Sequence, residues 1–151
     1  LYLNNGRPML LLNNQAHSGT GFVGNAIVAD GNWHHISAGL NGTEIAIYVD
    51  GVLDTEGSFN DSMNSGSNTG LWFGKEGNGY SYYSGLLDNV VIWSSALTES
   101  EFQDLTPPTG NETDIIGYWI FGEGSGNSTV DITGNGNTGT IYGATWSLDT
   151  P

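Results

Sequence analysis

Asp88 is the acid whose surroundings most demand a chemical role. It shares the parity of Val90 and Ile92 in the run Gly85-Leu86-Leu87-Asp88-Asn89-Val90-Val91-Ile92-Trp93, which carries too many apolar residues to have a wet face. An ionised carboxylate in such a strand is costly unless a positive group or several donors meet it. Only Arg7 and Lys75 are basic against 16 Asp and Glu, a formal net charge of -14. A divalent cation with oxygen ligands is therefore the expected partner, and calcium fits best; the alternative is a carboxylate bonded to backbone amides. His34 and His35 offer zinc-type donors, but adjacent strand residues point to opposite faces, so a packed, hydrogen-bonded His34 is expected instead. His17 stands alone in a loop. The rings of Trp72, Tyr80, Tyr82 and Tyr83 lie in or beside loops, where they either stack on sugars or seal the core.

Several chemistries are excluded or unsupported. There is no cysteine, hence neither disulfide nor thiol. No nucleophile–base constellation is evident, and the Gly-rich stretches do not sit between a strand and a helix as a phosphate loop requires. So negative a surface repels nucleic acid and anionic membranes. No run of 18 apolar residues exists to span a bilayer. Asn41, Asn60, Asn111 and Asn127 each open an Asn-X-Ser/Thr sequence, a glycosylation acceptor only on an exposed loop in a glycosylating secretory route. A first residue of Leu1, with no signal-peptide pattern, points to a processed or partial product.

The elements that must position these groups are mostly strands. A chain of 151 residues fits one domain, and 24 Gly with five Trp, seven Tyr and five Phe suit short strands and tight turns. Strands are expected at 21–28, at 33–40, and at Glu44–Val49, where Ile45, Ile47 and Val49 face the core. Asp50-Gly51 is a strong hairpin signal leading into Val52-Leu53. Gly57 to Gly70 reads as a long loop, and Leu71–Gly74 and Gly85–Trp93 return to strands. Thr98-Glu99-Ser100-Glu101 is a capping box that predicts one short helix to about Leu105, stopped by Pro107-Pro108. The chain divides as a body over 1–105, a linker over 106–114, and further strands over 115–151, among them Tyr118-Trp119-Ile120-Phe121.

The runs Asp30-Gly31-Asn32-Trp33-His34-His35, Tyr48-Val49-Asp50-Gly51-Val52 and Gly85-Leu86-Leu87-Asp88-Asn89-Val90, with Ala96-Leu97-Thr98 after them, resemble the carboxy-terminal half of laminin-G-like, concanavalin A-like jelly rolls. The later runs Gly117–Gly126, Val130-Asp131, Gly134–Asn137 and Gly143–Trp146 resemble the amino-terminal strands of the same fold, so the strand order is inverted. The resemblance implies an all-β, two-sheet antiparallel sandwich, a mostly non-catalytic binding or adhesion role, and often a calcium ion. It also implies that Asp131 and Asn135 sit in a calcium loop, to be joined by Asp88. Glu99-x-Glu101-x-x-Asp104 is similar to the acidic triplet of glucanases on this sandwich. Retaining hydrolysis needs carboxyl groups about 5 Å apart lining a cleft, whereas these sit on a capped helical turn, so no enzyme is expected.

The strands that normally join the two halves are missing. Either the chain folds its own C-terminal strands into the gap, or those strands complete a neighbouring copy, since an unfilled sheet position leaves N–H and C=O groups unpaired. A subunit that both gives and receives a strand builds an open filament. The leading expectation is thus an extracellular, calcium-stabilised structural subunit that assembles with copies of itself through residues 118–121. The alternative is a calcium-dependent carbohydrate-binding or adhesion module of a larger surface protein.

Overall fold

A computed structural model describes residues 1–13, 19–62, 70–75 and 81–151. Every strand pairing among the described residues is antiparallel, with a single short helix, so the fold class is all-β as the resemblance implies. The chain forms two compact units, Leu1–Ser65 with Ser95–Thr106, and Gly66–Ser94 with Pro107–Pro151. Residues 66–94 therefore group with the C-terminal third.

The first unit holds two three-stranded sheets. One runs β1 (Tyr2–Asn4), β2 (Arg7–Asn13), β3 (Gly19–Val23), and the other β4 (Ile36–Asn41), β5 (Glu44–Val49), β6 (Val52–Ser58). The turn between β5 and β6 places Asp50 and Gly51 at φ 52° and 76°, the left-handed pair whose twist matches that of the flanking strands. The alternation in β5 is realised: Ile45 and Ile47 are 1% and 0% exposed, and Val49 is buried with them. On the opposite face Tyr48 stacks on Phe102, ring centroids 4.7 Å apart. β6 carries a bulge, because Ile47 pairs with Thr55 while Tyr48 pairs with Leu53, leaving Asp54 out of the ladder. The bulge aims the Asp54 carboxylate at the chain leaving β3, where it accepts from the Asn25 and Ala26 amides at 2.6 and 2.8 Å.

The helix, α1 (Glu99–Gln103), starts as its sequence predicts. The Glu101 amide donates to Thr98 Oγ1, and the Thr98 amide donates to Glu101 Oε2 at 2.7 Å. It is shorter than expected and ends two residues before Leu105.

In the second unit β7 (Val90–Trp93) pairs with β8 (Ile115–Trp119), and β9 (Ser128–Thr129) pairs with β10 (Gly139–Thr140). Phe73 meets Trp119 edge-on at 5.0 Å and Phe121 at 6.3 Å. Five expected strands are absent or cut short: the one expected over 21–28 ends at Val23, and the one over 33–40 begins at Ile36. Leu71–Gly74 forms none, and the strand expected from Gly85 begins only at Val90, because Asn89 at φ 51° interrupts the extended backbone. Phe121 at φ 48° likewise lies beyond the end of β8. Within 106–114 the chain makes a local turn: the Thr109 and Gly110 amides donate to the Glu112 carboxylate at 2.9 and 3.0 Å.

Candidate functional site

The loop after β9 organises the outer edge of β8. Asp131, 4% exposed, is its centre. Its Oδ1 accepts from the Tyr118 amide (3.1 Å), the Thr133 amide (3.1 Å) and the Thr133 hydroxyl (2.7 Å), and its Oδ2 accepts from the Asn137 amide (3.1 Å) and side-chain Nδ2 (2.9 Å). Burial opposes ionisation of this carboxyl most strongly of any single influence, yet the donors of Thr133, Tyr118 and Asn137 together outweigh it and hold the group well below the usual carboxylate range. Asn135 Nδ2 donates to the carbonyls of Ile115 and Ile116 at 3.1 and 3.0 Å, and Asn137 Nδ2 donates to Ile116 at 2.9 Å. The Ile132 amide donates to the Tyr118 carbonyl at 3.0 Å.

These contacts decide how well the expected calcium ligands fit an ion. Both oxygens of Asp131 are filled by five protein donors, and Asn135 turns its amide nitrogen to backbone carbonyls. Asp88 is half-buried, lies outside β7 and accepts from the Asn89 amide at 2.8 Å, the backbone-bonded alternative. Among the described residues no three His, Asp or Glu side chains are grouped to hold a metal. The set does not fit a calcium ion.

Tyr118 and Trp119, expected to complete a neighbouring copy, are bonded within their own chain. Tyr118 pairs with Val91 and Trp119 with Val90, the Tyr118 hydroxyl donates to Asn89 Oδ1 at 2.7 Å, and Trp119 Nε1 donates to the Asn137 carbonyl at 2.8 Å. Ile120 is 39% exposed beyond the strand.

The same unit carries an exposed aromatic pair. Trp72 is 41% and Tyr142 76% exposed, with centroids 6.4 Å apart and planes tilted by 49°. Lys75 Nζ lies 3.9 Å over the Trp72 ring, a cation–π contact made by one of only two bases in the chain. Lys75 bridges to Tyr82, whose side chain stands in solvent, while Tyr83 donates through its hydroxyl to the Leu86 carbonyl at 3.3 Å. Tyr80 and His17 lie outside the described residues. Sequence reasoning did not single out Tyr142 or Lys75 for this group; the scarcity of bases was the one available signal for Lys75.

In the first unit His34 stands between two carboxylates, Nδ1 2.8 Å from Asp50 Oδ2 and Nε2 3.1 Å from Asp30 Oδ1. The bonds to Asp50 and then Asp30 raise its pKa against the effect of burial, and burial lowers that of His35. His34 is thus a half-buried, hydrogen-bonded residue, as expected, but it lies in the chain just before β4 rather than in a strand. The acids of α1 are engaged locally: Glu99 with Gln103 Nε2, Glu101 in the capping box and Asp104 with the Thr106 amide. Asn41, Asn60, Asn111 and Asn127 are all exposed. No helix among the described residues is long and apolar enough to cross a membrane.

A family model described as the Concanavalin A-like lectin/glucanases superfamily matches residues 1–103. No curated protein and no solved structure matches the chain. The family match covers more than half of the chain and takes in the hairpin and histidine motifs of the first unit. With its antiparallel all-β fold and single short helix, the chain belongs to the concanavalin A-like lectin/glucanases superfamily.

Proposed function

We propose that this chain is a non-catalytic, extracellular carbohydrate-binding and adhesion module whose glycan contact is the Trp72–Tyr142 pair. The observation that carries the reading is that pair itself: two exposed rings 6.4 Å apart give an apolar platform of sugar size, with the Lys75 ammonium as a polar handle. A net charge of -14 favours neutral glycans over sulfated ones. Membership of a superfamily that includes lectins and the exposed Asn-X-Ser/Thr positions support the extracellular setting. The helical-turn acids, held by their own neighbours, support the absence of catalysis.

The rival is a calcium-stabilised subunit that polymerises by donating residues 118–121. The hydrogen bonds that Tyr118 and Trp119 already make within the chain, and the filled oxygens of Asp131, favour the binding module over it. A glycan array read with and without chelator tests the proposal. Neutral glycans should be retained by the native chain regardless of chelator, and retention should fall about tenfold for Trp72→Ala, the weight of one well-packed aromatic contact. An unchanged glycan profile in the Trp72→Ala/Tyr142→Ala double variant refutes it.

A further inference from the structure

An asparagine followed by glycine is unusually open to forming a cyclic imide with its own backbone, because the next residue has no Cβ to keep its amide nitrogen from the side-chain carbonyl. The sequence holds four such steps, at Asn5-Gly6, Asn41-Gly42, Asn78-Gly79 and Asn135-Gly136, of which the third lies outside the described residues. The other three differ in what restrains them.

Asn135 is held at its side chain. Its Nδ2 donates to the Ile115 and Ile116 carbonyls at 3.1 and 3.0 Å, so turning Cγ toward the Gly136 nitrogen means releasing both bonds. Asn5-Gly6 is held at its backbone. Asn5, at φ 50°, sits in the two-residue turn between β1 and β2, and the Gly6 carbonyl accepts from the Val28 and Ala29 amides at 2.8 and 3.3 Å. The covering chain is close enough that a Cβ on Gly6 would lie 3.2 Å from that of Ala29. Asn41-Gly42 has neither restraint. Asn41 is exposed at the end of β4, and neither its side chain nor the Gly42 amide takes part in a hydrogen bond among the described residues. Asn41 pairs with Glu44, which leaves Gly42 and Thr43 as a two-residue loop with Gly42 at φ 62°, the II′ arrangement whose first central residue is glycine. Nothing lies within 4 Å of a Cβ built on Gly42, so the nitrogen has open space to move.

We propose that Asn41 is a site of spontaneous deamidation, the one of these three that reacts in the folded chain. The Gly42 amide gives its proton to hydroxide and its nitrogen attacks Asn41 Cγ; the N–Cγ bond forms, the Cγ–Nδ2 bond breaks, and Nδ2 leaves as ammonia after taking a proton from water. Water then opens the five-membered succinimide. Addition at Cγ gives aspartate, and addition at the main-chain carbonyl carbon gives isoaspartate, with the chain now running through Cγ. No oxidant or reductant is needed. Because the reacting groups belong to adjacent residues, the rate depends on how freely the two atoms meet. Either product adds a carboxylate at the position paired with Glu44, where like charges repel. The isoaspartyl form also lengthens the main chain by one methylene at the turn that sets the β4–β5 register.

The test uses chain made in a host that does not N-glycosylate, incubated warm at mildly alkaline pH. Peptide mapping follows amide-to-acid conversion at each Asn-Gly step, and methyl transfer from S-adenosylmethionine by an isoaspartate-specific methyltransferase reports the rearranged product. Asn41 should convert about tenfold or more faster than Asn135, which must first release two hydrogen bonds, and also faster than Asn5. In urea the three rates should converge. The fraction carrying isoaspartate at position 41 should melt below the unreacted chain. An Asn41 rate in the folded chain that does not exceed those of Asn5 and Asn135, or a rate ratio that persists unchanged in urea, overturns the proposal.

Discussion

Replacing Asp131 by Asn separates a hydrogen-bond hub from an ion site. The better of its two orientations keeps Oδ1 facing the Tyr118 amide and both Thr133 donors, but sets an NH2 group against the Asn137 amide and Nδ2, which now face a donor at about the former 3 Å. Two charge-assisted bonds are lost, each worth about 1.5–3 kcal/mol, and their donors are left facing another donor, so a loss of about 3–5 kcal/mol is expected. Asp131→Ala should fall in the same range, since it removes all five acceptor contacts yet adds no donor clash. Urea unfolding followed by tryptophan fluorescence reads the effect directly, because Trp119 donates to the Asn137 carbonyl of the same loop. The native midpoint should be indifferent to chelator and to added calcium. A midpoint that falls with chelator in the native chain, with Asp131→Asn abolishing that sensitivity, refutes the reasoning.

The depressed pKa of Asp131 also makes stability pH-dependent: its contribution is fully present above the ordinary carboxylate range of about 4 and is lost as pH falls toward the folded value, a loss that Asp131→Asn should remove.

Other outcomes follow from the first unit. A neutral imidazole has one N–H, so only the imidazolium of His34 donates to Asp30 and Asp50 together; its raised pKa gives stability that is complete below about 6.5 and lost as pH rises through the elevated folded value, and His34→Gln should flatten that limb of a melting-temperature profile. Gly39→Ala should destabilise by about 1–3 kcal/mol in chemical denaturation, since its Cβ would lie 2.8 Å from Phe102 and push that ring off Tyr48. Size exclusion at low micromolar concentration should show a monomer; a concentration-dependent series of larger species would restore strand donation.

What the sequence made legible were features whose cause is local. The period-two pattern of Ile45, Ile47 and Val49, the Asp50-Gly51 turn and the Thr98–Glu101 box each depend on residues within a few positions, and all three are present. Asp88 was misplaced because parity assumes unbroken extension, and Asn89 at φ 51° ends it. Asp131 and Asn135 share one loop, and an Asp- and Asn-rich turn presents the same residue types whether its acceptors meet a cation or backbone amides. Only the position of β8 distinguishes the two.

The side chains along β8 bear on how a strand paired on one side only avoids an open edge on the other. Its bulge at Ile116 arises because Trp93 pairs with Ile115 while Ile92 pairs with Gly117. On the side away from β7, Asp131 accepts from the Tyr118 amide, the Ile132 amide donates to the Tyr118 carbonyl, and Asn135 and Asn137 donate to the carbonyls of Ile115 and Ile116. An incoming strand would have to displace these contacts to form a comparable number of its own, and it would also lose translational and rotational freedom on association. Exchange therefore offers little enthalpy to offset that entropy. The loop thus engages backbone groups of β8 that another strand would otherwise have to pair.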